Sequence, residues 1–329
     1  MTFLGETIHP LGMGCWPIGG AMYAGEQSLG YTRTSDAQSL RTIHAALDLG
    51  ITLFDTAAAY GAGHSERLLG QALRDRPDAL VVTKIGIAVD EDTRQITFGD
   101  TSPDRVLPAI DDCLTRLVRD RIDVVLLHAN ALPVDEARPI FDQLDIARQS
   151  GKIRAYGWST DFSASAAAFA DRDGFTAVEH AMNVFVAPPR IQAVTRDHGL
   201  AALVRSPLAM GLLTGKYDTR TKMRSGDIRA SNVMVIKYFQ DGRPNPEFIA
   251  RLNAVRDLLS TGGRTLIQGA LGWLWAKGEH VIPIPGARTE EQITGLASAL
   301  RHGPSPAHVM EAIETLIDRD PPDAPEREL

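Results

Sequence analysis

Short apolar runs alternate along the chain with longer segments in which apolar residues recur about every third or fourth position. Eight runs read as strands, at 11–15, 52–55, 80–84, 123–128, 155–159, 177–183, 201–206 and 280–284. The segments between them carry helix signals. Thr34 or Ser35 can cap a helix whose apolar face is Leu40, Ile43, Ala46 and Leu47, with Gly50 closing it. Ser102, Pro103 and Asp104 read as a cap, a first-turn proline and a first-turn acid. That helix should run to about Arg119, with Val106, Ile110, Leu114 and Leu117 inside. The sequence at 149–152 is another helix stop, and Pro188-Pro189 opens a segment that ends at His198-Gly199. The segment 265–277 is apolar nearly all round and should pack deeply. Eight strands alternating with helices predict an α/β fold, a single (β/α)8 TIM barrel with parallel strands, rather than an open sheet.

Two stretches break the rhythm. Residues 217–246 are long and mixed, and they follow the seventh strand, where such a barrel places active-site loops. Residues 319–329 are acidic and proline-rich and read as a flexible tail. The 329 residues fit one barrel domain, 1–329, with enlarged loops. With 44% hydrophobic and 23% charged residues, the chain can bury a large core. No run of about 20 apolar residues predicts a membrane span, and the first residues lack a secretory pattern. A net charge of −7 argues against nucleic acid or an anionic membrane as partner. Cys15 and Cys113 form no CxxC pair, so they read as buried thiols of a cytoplasmic protein, with no metal site expected.

The chemistry lies at the strand ends. In a β/α barrel the C-terminal ends of the strands ring the active site. The second strand ends on Asp55, with Tyr60 five residues on; the third ends on Lys84 and the fourth on His128. Singly, these are a cap, a packing ring, a surface lysine and a core histidine. Together, at consecutive barrel positions, they have one purpose. Hydride reduction of a carbonyl needs a proton for the developing alkoxide, and an ordinary tyrosine, with a pKa of about 10, is a weak donor at neutral pH. Lys84 beside Tyr60 should lower that pKa, Asp55 should keep Lys84 charged, and His128 can orient the carbonyl oxygen.

Seven segments in order carry a resemblance: FDTAAAYG at 54–61, GHSERLLG at 63–70, VVTKIG at 81–86, IDVVLLHAN at 122–130, GKIRAYGWST at 151–160, RSPLAMGLLTGKY at 205–217 and IPIPGARTEEQ at 282–292. They resemble the aldo-keto reductase family from about Leu11 to about Ala299. The resemblance implies a single barrel that reduces an aldehyde or ketone with NADPH, NADH being possible, and with Tyr60 as general acid. It agrees with the absence of a G-x-G-x-x-G turn. It implies that Ser159, Thr160 and Glu179 lie at the nicotinamide carboxamide and Arg205 beneath the ring. Backbone from Ser206 through Pro207, Leu208 and Gly211 to Leu213, with Lys216, would hold the pyrophosphate. Gly286, Arg288 and Gln292 would surround the adenosine, Arg288 forking onto a 2′-phosphate. Trp16 and Tyr23 are candidates for the substrate side, with His64 and the basic residues Arg224, Arg229, Lys237 and Arg243 of the long loop.

Four positions depart from the family pattern. Thr160 stands for an asparagine, Glu179 for a glutamine, Arg205 for an aromatic and Leu296 for an asparagine near the adenine. The opposite charges of Glu179 and Arg205 suggest an ion pair. The departures also keep open an NAD-dependent sugar or pyridoxal-like dehydrogenase. A nucleotide-sensing subunit is a third reading, disfavoured by the intact proton-donor residues. The expected partner is a small carbonyl compound, and the expected state a monomer or weak homo-oligomer.

Overall fold

Continuous apolar runs build a sheet whose two faces are both buried. A computed structural model describes residues 1–32, 34–231 and 237–319. Eight parallel strands form one sheet in sequence order: β1 (Gly12–Gly14), β2 (Leu53–Asp55), β3 (Leu80–Ile85), β4 (Ile122–Leu127), β5 (Ile153–Ser159), β6 (Phe175–Ala181), β7 (Ala201–Arg205) and β8 (Val281–Pro283). A parallel bridge between Gly14 and Gly286 joins the last strand to the first, with the Gly14 amide donating to the Pro285 carbonyl at 3.0 Å. A Cβ on Gly14 would lie 2.5 Å from the Ile284 carbonyl oxygen, so this closure requires glycine. The sheet is therefore a barrel, as the strand count predicts.

Alternate residues of each strand point inward and stack as a narrow core. Leu53, Leu80, Val82, Val124, Leu126, Ala155, Ala177, Ala201, Leu203 and Ile282 form it. A hairpin of Thr2–Phe3 and Glu6–Thr7 closes the lower end with Phe3 and Ile8. Two residues above this core, the same inward rows continue as Asp55, Lys84, His128, Glu179 and Arg205, and Ser159 joins them four residues beyond Ala155. Strand periodicity alone thus brings six polar side chains to one mouth.

Among the described residues, helices α1 (Asp36–Asp48), α2 (His64–Ala72), α3 (Val106–Leu117), α4 (Val134–Gln149), α5 (Ser163–Ala167), α6 (Pro189–Asp197), α7 (Pro246–Leu259), α8 (Leu266–Trp275), α9 (Glu290–Ala297) and α10 (Ala307–Leu316) accompany the strands, beside a short helical turn at Trp16–Gly19. Ser35 precedes α1 and Gly50, at φ 79°, follows it, as the sequence predicts, although Ser35 makes no side-chain cap. The segment after Ser102 begins as a single 3-10 turn before α3, which ends on Val118 in a left-handed conformation. The helix α8 is buried from Gln268 to Trp275, in keeping with its all-round apolar sequence. Its Thr265–Gln268 capping box satisfies donors at both ends of the first turn. Both cysteines are buried free thiols. No helix among the described residues is long and apolar enough to cross a membrane.

The stretch 217–246 is more ordered than its composition suggests. It holds a 3-10 turn, Ile228–Ala230, and a hairpin of Phe239–Gln240 and Arg243–Pro244. It also reaches the other side of the mouth: the Ile228 amide donates to the Gly30 carbonyl at 2.9 Å, and Ser28 Oγ donates to the Gly226 carbonyl at 2.7 Å. Residues 232–236 of this stretch lie outside the described residues, as does the expected tail from 320 onward. A small sheet not foreseen from sequence, formed by Tyr23–Ala24, Gln27–Ser28, Ile87–Asp90 and Gln95–Phe98, adds to the rim.

Between the sheet and the helices, Phe141 of α4 is fully buried. It stacks on Phe169 at 4.2 Å and touches Trp158, Tyr156 and Phe175. Phe141→Ala should cost about 3–5 kcal/mol in urea unfolding. A loss under about 1 kcal/mol would show that this aromatic cluster re-packs without its centre.

Candidate active site

Lys84 stands at the centre of the mouth. It ends an inward row of β3 and its side chain is fully buried. Its Nζ donates to both oxygens of Asp55, at 2.8 and 2.7 Å, and to the Thr56 carbonyl at 2.9 Å. It lies 3.3 Å from the Tyr60 hydroxyl and 3.0 Å from Glu179 Oε2. One ammonium therefore serves two buried carboxyl groups and a phenol. Glu179 is further tied by Ser159, whose Oγ donates to Oε1 at 3.2 Å; the two residues are register partners on β5 and β6.

The charges explain the proton affinities. Burial disfavours the Lys84 ammonium, but Asp55, then Glu179 and Tyr60, outweigh it and hold its pKa above the ordinary lysine value. Asp55 is pushed well above the usual carboxylate range, first by burial and then by the Glu179 charge, against the pull of Lys84. Burial opposes the Glu179 carboxylate, yet Lys84 holds its pKa below the ordinary glutamate value. Tyr60 departs from the expectation that Lys84 would make it more acidic. Burial raises its pKa more than Lys84 lowers it, and Asp55 and Glu179 raise it further. The phenol keeps its proton in the resting site.

The other expected residues divide into those the fold brings here and those it uses elsewhere. His128 meets Tyr60 edge-on at 6.3 Å, with its amide donating to the Ile85 carbonyl at 2.7 Å. Trp16 stacks on Tyr60 at 6.0 Å and is itself met edge-on by Tyr31 at 5.4 Å. Trp16, Tyr60 and His128 thus form an aromatic wall. Tyr23 lies on the rim sheet, paired with Ser28 and Gln95, and makes no ring contact with this wall. His64 pairs with Asp36 at 2.9 Å, at the helix ends.

The ion pair expected between Arg205 and Glu179 is not formed. Arg205 donates instead to Asp161, whose other oxygen accepts the Ala181 amide at 2.8 Å. Arg205 acts on Glu179 only from a distance. The reason is register: β6 and β7 align Ala181 with Arg205, which sets the guanidinium beside the loop that follows β5. Thr160 is also committed. It is fully buried, its hydroxyl donates to the Asn130 carbonyl at 2.7 Å, and it accepts the Phe162 amide. Asn130 and Asp161 were not singled out in the sequence; their only signal was position, directly after strand ends.

Beyond β7 the backbone turns left-handed at Ser206, Ala209, Met210 and Gly211, with φ of 53°, 48°, 53° and 96°. Three of these are not glycine, so the surrounding structure must hold them there. Asn183 does part of this by donating to the Ser206 carbonyl at 3.0 Å. The amides of Ala209, Gly211 and Leu213 are spent inside the loop, on the Ser206 carbonyl at 2.9 Å and on the Leu208 carbonyl at 2.9 and 3.2 Å, and Leu208 and Leu213 anchor the turn in the core. Pro207 lies within this turn and Lys216 beyond it, its ammonium 4.8 Å from the Tyr217 ring. Gly286 packs so near Pro17 that a Cβ would lie 2.4 Å away. Next to it, the Arg288 guanidinium lies over Tyr31 at 5.8 Å and donates to the Thr32 carbonyl at 3.3 Å. Gln292 accepts the Arg288 amide at 2.9 Å. Leu296 is simply a core residue. The residues from Ser206 to Leu213, with Lys216, Gly286, Arg288 and Gln292, are those that could hold an extended dinucleotide.

Of the loop cations, Arg229 is taken by the fold. It makes two 2.8 Å bonds to Asp227, one of 2.7 Å to the Tyr217 hydroxyl, and stacks on Tyr31 at 5.4 Å. It fastens the loop and is not available to a substrate anion. Arg243 donates to the Arg220 carbonyl.

The family model described as the Aldo/keto reductase family matches residues 10–318. The chain belongs to the aldo/keto reductase family. Among its relatives, the aldo-keto reductase YhdN of Bacillus subtilis (strain 168) is 30% identical over 300 residues, covering 87% of this chain and 83% of that one. The NADH-specific methylglyoxal reductase of Escherichia coli (strain K12) is 29% identical over 318 residues, covering 89% and 90%. The solved structure of the glycerol dehydrogenase AKR11B4 from Gluconobacter oxydans superposes with a TM-score of 0.78 at 29% identity, covering 96% of this chain and 95% of that one. The protein is an oxidoreductase by family.

Lys84→Met would leave Asp55 and Glu179 facing each other in a dry site without a cation. Both carboxyls would then titrate above their unfolded values, which lie near about 4. A raised folded pKa stabilises below the unfolded pKa and loses that stability as pH rises through the folded one. The variant should thus lose about 3–5 kcal/mol at pH 8 in urea unfolding, and distinctly less at pH 5. An equal loss at both pH values would contradict this electrostatic account.

Proposed function

We propose that this protein reduces a small aldehyde or ketone to the alcohol with a nicotinamide cofactor, Tyr60 acting as the general acid. The observation that carries the reading is the buried Lys84 Nζ, 3.3 Å from the Tyr60 hydroxyl and bonded to both Asp55 oxygens. When bound, a reduced nicotinamide supplies the hydride. Tyr60 supplies the proton to the carbonyl oxygen as negative charge develops there. A phenol whose pKa is raised by burial does not lose its proton before substrate arrives, and the alkoxide is a strong enough base to take it. Lys84 remains protonated beside the phenolate that results, and Asp55 keeps Lys84 fixed. His128 donates to the carbonyl oxygen, and Trp16 covers the ring of Tyr60 to exclude water.

In this reading Ser159 and Glu179 hold the nicotinamide amide, the loop from Ser206 to Leu213 with Lys216 holds the pyrophosphate, and Gly286, Arg288 and Gln292 hold the adenosine. Arg288 is suited to a 2′-phosphate and favours NADPH; the NADH specificity named for one relative makes NADH the competing cofactor. Alcohol oxidation is a second reading. It is favoured by the acidic Glu179 and by the likeness to a glycerol dehydrogenase.

A panel of aldehydes and ketones, followed at the nicotinamide absorbance with NADPH and with NADH, tests the reading. Tyr60→Phe should slow reduction by a factor on the order of 100 to 10,000, while fluorescence titration shows the cofactor still bound. Undiminished turnover in Tyr60→Phe would overturn the role given to this residue.

A further inference from the structure

Two buried carboxyls around one ammonium leave a charge to be settled. With Asp55, Glu179 and Lys84 all ionised, the floor of the mouth carries one net negative charge in a dry setting. With one proton on the carboxyl pair, it is neutral. Like charges that share a buried site resist ionising together. The neighbours do not remove the conflict. Lys84 already serves both groups, at 2.7 Å to Asp55 and 3.0 Å to Glu179. Arg205 is spent on Asp161. Ser159, the Tyr60 phenol and the Cys15 thiol are neutral, the thiol kept so by burial; His128, edge-on to Tyr60 at 6.3 Å, is the other titratable group of the mouth and is retained in Glu179→Gln. Glu179 Oε2 has the ion pair with Lys84 but no well-directed hydrogen bond, so it retains a lone pair for a proton.

We infer that Glu179 and Asp55 form a proton-sharing pair, and that binding an oxidised, cationic nicotinamide expels this proton to solvent while binding the reduced, neutral ring does not. The inference rests on the cofactor reading above. The step is an acid dissociation: the carboxyl O–H bond breaks, the proton passes to buffer, and the negative charge left behind faces the positive ring. No electrons are exchanged. Glu179 is then a specificity-determining residue for redox state. An amide at position 179 would leave Asp55 alone with Lys84, a balanced pair with no proton to release.

The consequence is a pH-dependent preference between the two forms of the cofactor. Below the pKa of the pair, affinity for NADP+ should rise toward tenfold per pH unit, because one proton leaves per molecule bound; above it, affinity should level. Affinity for NADPH should lack this component. Any titration of the 2′-phosphate is common to both and cancels in the ratio of dissociation constants.

The experiment measures that ratio from pH 6 to 9 by fluorescence or calorimetric titration, together with proton release in buffers of different ionisation enthalpy. The wild-type protein should release a proton with NADP+ and show a ratio that changes with pH. Glu179→Gln should lose both while still binding the two nucleotides. A ratio independent of pH in the wild-type protein, or a pH dependence kept in Glu179→Gln, overturns the inference. Since the wild-type measurement decides by itself, a variant that fails to fold does not spare it. Failure to bind either nucleotide would instead overturn the cofactor reading.

Discussion

Everything at the mouth of this barrel hangs on one buried ammonium. Lys84 is without solvent, so its charge persists only because Asp55 and Glu179 surround it. Those carboxylates in turn can be buried only because Lys84 is there. Neither side of this arrangement is a source of net stability; each removes a cost the other imposes. What the protein gains is geometry. A phenol next to an ammonium fixed by several bonds has one position, and a site built at the ends of packed strands cannot easily relax out of it.

The barrel supplies that rigidity through periodicity. The rows that carry Leu53, Val82 and Ala177 in the inner core carry Asp55, Lys84 and Glu179 two residues later. The apolar layer below therefore acts as the floor that keeps water from the ion cluster. The same logic sets Arg205 against Asp161, stabilising the turn from which the left-handed run at 209–211 departs. Across the mouth, the strap of Asp227, Arg229 and Tyr217 meets Tyr31, which backs Trp16 on one side and Arg288 on another. The aromatic wall beside Tyr60 and the expected adenosine end are thus joined through one ring.

Much of this was legible in the sequence, for identifiable reasons. The eight strands announced themselves because both faces of a barrel strand are buried, which writes a continuous apolar run. Asp55, Lys84 and His128 were visible because each polar residue ends such a run. What sequence could not provide was who touches whom. Glu179 and Lys84 lie on β6 and β3, two strands that are not neighbours in the sheet, and meet only across the lumen. The opposite charges of Glu179 and Arg205 therefore suggested the wrong partner, since the true one for Arg205, Asp161, lies on a loop and carried no motif. The direction of the Tyr60 shift was missed for the same reason: a nearby lysine lowers a phenol's pKa, but the sequence does not reveal the burial, or the Asp55 and Glu179 charges, that raise it. The rim sheet and the strap were illegible because their strands are two to four residues long and their partners are far apart, Gly30 with Ile228 for one.

The central claim is that Lys84 stays an ammonium because two carboxyls hold it, and 15N NMR of the lysine Nζ resonances against pH tests it most directly. Lys84, assigned by its loss in Lys84→Arg, should keep its ammonium shift above the ordinary lysine value of 10.5, after the surface lysines have titrated. A Lys84 resonance that titrates together with the surface lysines, or below them, would contradict the account.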